Sequence, residues 1–140
     1  MKYWMGTLLL CLALANSVLA AELIGVSPRE LDGLQKKGAV LVDIRTPEEW
    51  RKTGLIPGSQ PLMFFDANGK SDLAAWLQQL DKLSPGKSGN IVLICRSGHR
   101  SEQVGNLLAK TLGYEHVYHL KNGLKGWVEQ GQTTTACRGC

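Results

Sequence analysis

Ile91-Val92-Leu93-Ile94-Cys95-Arg96-Ser97-Gly98-His99-Arg100-Ser101 is the stretch that decides the fold. Four consecutive apolar residues, three of them β-branched, read as a strand buried on both faces, the mark of a parallel sheet. The run stops at Cys95. After a short polar loop, Val104, Leu107, Leu108 and Leu112 recur at helical spacing, and Gly113 ends the pattern. A strand passing at once into a helix belongs to a βαβ unit, and in open parallel sheets the functional crevice lies beyond the C-terminal strand ends. Cys95 stands at such an end.

The flanking sequence repeats the alternation. Leu23 to Val26 reads as a short strand, and Ser27-Pro28-Arg29-Glu30 starts a helix with an N-cap serine, a proline in the first turn and a glutamate closing a capping box. Leu31 and Leu34 mark its buried face and Gly38 its end. Ala39 to Ile44 is a second buried strand, polar first at Asp43. Thr46-Pro47-Glu48-Glu49 repeats the helix-start signal for a two-turn helix that carries Trp50 and ends at Gly54; Glu49 reads as the capping-box acceptor. Leu55 to Gly69, with Pro57-Gly58 and Pro61, reads as a loop. Ser71-Asp72 caps a helix whose stripe is Leu73, Trp76, Leu77, Leu80 and Leu83. His116 to Leu120 reads as a strand and Leu124 to Gln130 as a last short helix with Trp127. The expectation is an α/β fold: one domain over residues 21–130, with a central parallel sheet and helices on both faces.

The first twenty residues read as an address. Met1 to Trp4 includes one basic side chain, Met5 to Leu14 is a leucine-rich apolar core, and Val18-Leu19-Ala20 suits cleavage before Ala21. A bacterial-type signal peptide over residues 1–20 predicts a periplasmic or secreted protein with no stable membrane insertion after cleavage. An uncleaved anchor is the alternative, since Tyr3 to Ala21 nearly reaches spanning length. Cys11 does not make a lipoprotein signal, because Leu10 precedes it where a small residue is needed.

The 140 residues suit one domain, and only one apolar run approaches membrane-spanning length. Sixteen basic against twelve acidic side chains give +4, or +3 without Lys2. With acids mixed in throughout, that charge does not point to nucleic acid; it permits local attraction of small anions.

The chemistry concentrates at 95–101. A thiolate at Cys95 would face the N–H groups of the turn and the positive end of the following helix, with Arg96, Arg100 and His99 adding charge. Gly98 lets the backbone bend inward. The loop is an anion cup with a nucleophile at its base. Asp43, at its own strand end, reads either as a support that bonds an arginine of the loop or as a solvated carboxylate.

These residues resemble the rhodanese-like (thiosulfate sulfurtransferase) family. Cys95 to Ser101 looks like its active-site loop, and Val42-Asp43-Ile44-Arg45-Thr46-Pro47-Glu48-Glu49-Trp50 like its Asp-x-Arg-x-x-x-Glu segment. Gly54-Leu55-Ile56-Pro57-Gly58-Ser59 resembles its Gly-x-Ile-Pro-Gly-Ala/Ser motif. Gly123-Leu124-Lys125-Gly126-Trp127 resembles its Gly-Gly-x-x-x-Trp closure, with Asn122 in place of the first glycine. The resemblance implies a sulfurtransferase without a cofactor. Cys95 would take a sulfane sulfur from a small anionic donor such as thiosulfate and pass it to cyanide or a thiol. Arg96, Ser97, Gly98, His99, Arg100 and Ser101 would bind the donor and surround the persulfide, with Arg96 and Arg100 holding the donor's charge. Asp43 and Arg45 would support the loop from outside it. A non-catalytic rhodanese-like module is the other class, and retention of Cys95 argues against it. A cysteine phosphatase or arsenate reductase places its arginine six positions after the nucleophile; here Arg100 follows by five.

His116 and His119 are three apart on a strand, so they face opposite sides and do not form a metal pair. Cys137 and Cys140 are two ligands at one end of the sequence, too few to close a zinc site. No metal is expected. Their C-x-x-C spacing instead suggests a redox pair, either an internal disulfide or an acceptor of sulfur from Cys95, on a mobile tail over residues 131–140.

Overall fold

The computed structural model describes residues 19–140. Residues 1–18, which hold nearly all of the signal-peptide reading, lie outside the described part. Five strands, β1 (Ile24–Val26), β2 (Val40–Asp43), β3 (Gln60–Pro61), β4 (Asn90–Ile94) and β5 (His116–Leu120), form one sheet in the order β1-β5-β4-β2-β3. Every neighbouring pair is parallel. The helices are α1 (Pro28–Lys36), α2 (Pro47–Thr53), α3 (Leu73–Leu83), α4 (His99–Asn106) and α5 (Gly123–Glu129). Among the described residues no helix is long and apolar enough to cross a membrane.

Both capping boxes form: Ser27 with Glu30 and Thr46 with Glu49 satisfy their helix starts reciprocally. β4 sits between β2 and β5, and its alternation divides the core. Ile91, Leu93 and Cys95 join Trp76, Leu80, Val104 and Leu108 on one face, while Val92 and Ile94 join Leu31, Leu124 and Trp127 on the other. The α/β reading with helices on both faces holds.

Three features depart from the expected layout. The loop over Leu55 to Gly69 contributes β3, a two-residue edge strand where Pro61 is tolerated because an edge needs no donor on its outer side. The helix after the Cys95 loop does not stay α-helical to Leu112 but widens into a π-helical turn over Leu107–Thr111. The tail over 131–140, read as mobile, is instead tied down. Leu55 and Thr135 exchange backbone hydrogen bonds at 2.8 Å each, Trp127 Nε1 donates to the Thr133 carbonyl, and Arg51 donates to the Cys140 carbonyl. Cys137 and Cys140 are disulfide-bonded, leaving Cys95 as the free cysteine among the described residues.

Candidate active site

Cys95 follows the last residue of β4 and is 1% exposed. Gly98, in the left-handed region at φ 101°, turns the loop back so that its own N–H donates to Cys95 Sγ at 3.1 Å. The Ser101 N–H, in the first turn of α4, donates to the same sulfur at 3.4 Å, and the Cys95 thiol contacts Ser101 Oγ at 3.4 Å. Of the N–H groups expected to ring the sulfur, these two reach it. α5 braces the loop from below: Leu124 N–H donates to the Cys95 carbonyl at 2.8 Å and Lys125 N–H to the Arg96 carbonyl at 3.0 Å. Arg96, Ser97 and His99 are exposed around the turn.

Arg100 is positioned differently from the expectation that it grips a donor. Its fork is occupied by Glu49, Nη1 to Oε2 at 2.9 Å and Nη2 to Oε1 at 2.7 Å. The hydrogen bond that Arg100 donates to Glu49 is the main cause holding the Arg100 pKa above its ordinary value. Glu49 thus closes the capping box of α2 and clamps the Cys95 loop, a role that the capping signal alone concealed. Burial pushes the Glu49 pKa up, but hydrogen bonds from Arg100 and from Thr46 outweigh it and lower it from 4.5 to about 2.

That shift sets a pH dependence. The folded value lies below the unfolded one, so the clamp contributes fully above about pH 4.5 and loses its contribution as pH falls toward 2. Glu49→Gln should cost about 1 kcal/mol at neutral pH, the upper end for a partly exposed pair. Denaturant melts of both proteins from pH 6 to pH 2 should show that gap constant at first and closing through the acid range. A gap that does not shrink would mean the carboxylate charge is not what holds the loop.

Asp43 does not bond a loop arginine. Its carboxylate lies fully buried against Arg45, which is 1% exposed and donates from Nε and Nη2 at 2.7–3.1 Å. Trp50 Nε1 completes the set at 3.1 Å. Arg45 then reaches on to Thr53 Oγ1 at 2.7 Å and the Gly54 carbonyl at 2.8 Å. The pair fastens the end of α2 to the end of β2, and α2 carries Glu49 to Arg100. Asp43 and Arg45 act on the site through that helix, not on the loop directly.

His119 is the other residue whose place the sequence hid. From β5 its Nδ1 approaches Ser101 Oγ at 3.2 Å, while Ser101 Oγ donates to the Gly98 carbonyl at 3.0 Å. Cys95, Ser101 and His119 form a continuous polar chain under the loop. A hydroxyl that donates to Gly98 has lone pairs left for the thiol and for a ring N–H, so the contacts fit a His119 that carries a proton on Nδ1. Burial is the largest influence on His119 and lowers its pKa, with Glu102 opposing. The strand alternation separates His119 from His116 but says nothing of what it meets.

The result is an α/β domain with a buried cysteine seated at the end of a central parallel strand and cradled by the turn that follows. The chain belongs to the rhodanese-like domain family, whose profile matches residues 27–130. A rhodanese domain-containing protein of Drosophila melanogaster, CG4456, is 33% identical over 92 residues, 64% of this chain and 82% of that protein. The tRNA uridine(34) hydroxylase of Rickettsia massiliae is 30% identical over 112 residues, covering 76% of this chain but only 41% of the relative's length. Among solved structures, the human single-domain sulfurtransferase TSTD1 is 28% identical with a TM-score of 0.58, covering 76% of this chain and 96% of the other.

Proposed function

We propose that this protein is a sulfurtransferase that carries sulfane sulfur as a persulfide on Cys95. The observation that carries the reading is the seat of Cys95 Sγ. It is a buried sulfur at a strand end, held by the Gly98 and Ser101 N–H groups in a loop with Arg100 five residues on. The likeness to a human single-domain sulfurtransferase supports it.

With thiosulfate as donor, the Cys95 thiolate attacks the outer sulfur. A bond from Sγ to that sulfur forms, the donor's sulfur–sulfur bond breaks, and sulfite leaves with the electron pair. Cyanide or a thiolate then attacks the outer sulfur of the persulfide, and Sγ departs as the regenerated thiolate. Both steps balance without an oxidant. The N–H groups of the turn hold the persulfide anion, and the helix N-terminus adds its field. Arg96 forms no ion pair among the described residues and takes the anionic end of the donor, while Arg100 holds the loop to Glu49. The occupied Arg100 fork also weighs against a phosphatase, which needs that guanidinium for phosphate.

A thiosulfate:cyanide assay tests the reading. Cys95→Ala should form no thiocyanate above the uncatalysed background, while wild type turns over; equal rates would overturn it. We also propose secretion to the periplasm with cleavage after Ala20. N-terminal sequencing of the exported protein should begin at Ala21, and a retained Met1 would overturn the cleavage.

A further inference from the structure

Beneath the Cys95 loop three side chains touch in succession, and the transfer chemistry above uses only the first. Cys95 Sγ lies 3.4 Å from Ser101 Oγ, and Ser101 Oγ lies 3.2 Å from His119 Nδ1. We propose that His119 is a positioning residue for Cys95: from Nδ1 it holds the Ser101 hydroxyl so that this hydroxyl serves the sulfur as a donor once the sulfur is an anion. The consequence for turnover rests on the sulfurtransferase reading; the arrangement around the thiol does not.

Sheet register brings the three together. β5 lies beside β4 with Leu93 opposite His119, and Cys95, two residues beyond Leu93, continues the same face. α4 covers that face through Val104 and sets Ser101 between the two. Cys95, Ser101 and His119 are 1%, 0% and 8% exposed, so protein groups and not bulk water satisfy the hydroxyl.

Counting protons assigns the roles. A hydroxyl has one proton and two lone pairs. While Cys95 is a thiol, that proton goes to the Gly98 carbonyl at 3.0 Å, and the lone pairs take the S–H and the Nδ1–H. Once Cys95 has lost its proton to solvent, an oxygen lone pair facing the sulfur would repel it, so the hydroxyl turns its own proton to Sγ. Leaving Gly98 does not strand that carbonyl, which keeps the Glu102 N–H at 2.9 Å. His119 decides whether the turn holds. An Nδ1–H occupies a lone pair and leaves the hydroxyl proton to the sulfur; a bare Nδ1 would compete for that proton and aim a lone pair at Sγ. In the transfer step Sγ leaves as a thiolate when the acceptor takes the outer sulfur, and the same hydroxyl meets that charge.

Protonation of His119 adds a proton at Nε2 and keeps the one on Nδ1, so the support survives in acid. Burial does most to lower the His119 pKa; Glu102 from α4 opposes it, and Lys121 just past β5 adds to it. β1 and β4, on either side of β5, carry no charged side chain. Arg100, whose charge interacts with Cys95, is untouched by the variants below.

The test is the ultraviolet absorbance of the Cys95 thiolate, read against Cys95→Ala as pH rises. His119→Phe, which fills the space without a donor, should move the midpoint up by about one pH unit, about a tenfold loss of thiolate below it. His119→Asn, whose amide N–H stands where the Nδ1–H stood, should return the midpoint to near wild type. In a Ser101→Ala background His119→Phe should add no further shift. An unchanged midpoint in His119→Phe, no recovery in His119→Asn, or an equal shift without Ser101 would overturn the assignment. Wild-type protein gives a second measurement that needs no variant at this position: the ring nitrogen resonances of His119 should report a proton on Nδ1 throughout the titration, and a bare Nδ1 would overturn it. Below the midpoint, thiocyanate formation should fall with the thiolate in His119→Phe and recover in His119→Asn. Wild type that forms no thiocyanate would defeat the sulfurtransferase reading and leave the absorbance titration to decide His119.

Discussion

Gly98→Ala should abolish activity and lower stability together. Gly98 holds φ 101°, where a side chain is strained, and a Cβ built on it would overlap the Lys121 carbonyl at the end of β5. That obstacle is backbone just past the end of an interior strand and has no rotamer to yield. Strain and overpacking of this kind cost about 1–3 kcal/mol each, so a loss of about 3 kcal/mol or more is the expected result of denaturant melts. The loop can relieve the overlap only by lifting, which withdraws the Gly98 N–H from Cys95 Sγ. A variant that keeps wild-type stability and turnover would show that the cradle around the sulfur is not needed.

Arg45→Met should be the most damaging change outside the loop. It leaves the Asp43 carboxylate buried with only the Trp50 indole and a backbone N–H as partners, and a broken buried pair costs about 3–5 kcal/mol. Adding Asp43→Leu removes the stranded charge and should recover much of that loss, since an apolar replacement of both partners is often tolerated. Activity should not return with it. The bonds from Arg45 to Thr53 and Gly54 that settle α2, and with it Glu49, are gone in either variant. Thermal melts and the thiocyanate assay on the single and double variants separate these effects. A double variant as unstable as the single one would place the cost elsewhere than in the unpaired charge.

What the sequence discloses and what it conceals divide along a physical line. Signals that act within a few residues read directly. The two capping boxes, the apolar run of β4 and the glycine stops all specify their elements locally, and the alternation of β4 already places Cys95 on a defined face. Partnerships across many residues do not. Glu49 satisfies a local helix signal so completely that its pairing with Arg100, 51 positions on, leaves no trace in spacing. His119 reads only as the opposite side of His116, and its contact with Ser101 depends on the parallel register that sets β5 beside β4. Asp43 is an exception at short range: it turns to the arginine two residues away, because the backbone bend after β2, which spacing does not specify, brings the Arg45 side chain back onto it. β3 is two residues long and carries Pro61, so a breaker and an edge strand look alike there. The tail has no apolar periodicity because what holds it is backbone pairing with Leu55 and the carbonyls of Thr133 and Cys140.

If sulfur rides on Cys95, the intact mass of the protein after exposure to thiosulfate records it. The mass should rise by one sulfur atom, with Cys137 and Cys140 still paired. Cyanide should remove that mass, and Cys95→Ala should never acquire it. A sulfur adduct that persists in Cys95→Ala, or wild-type protein that gains no mass while forming thiocyanate, would contradict it.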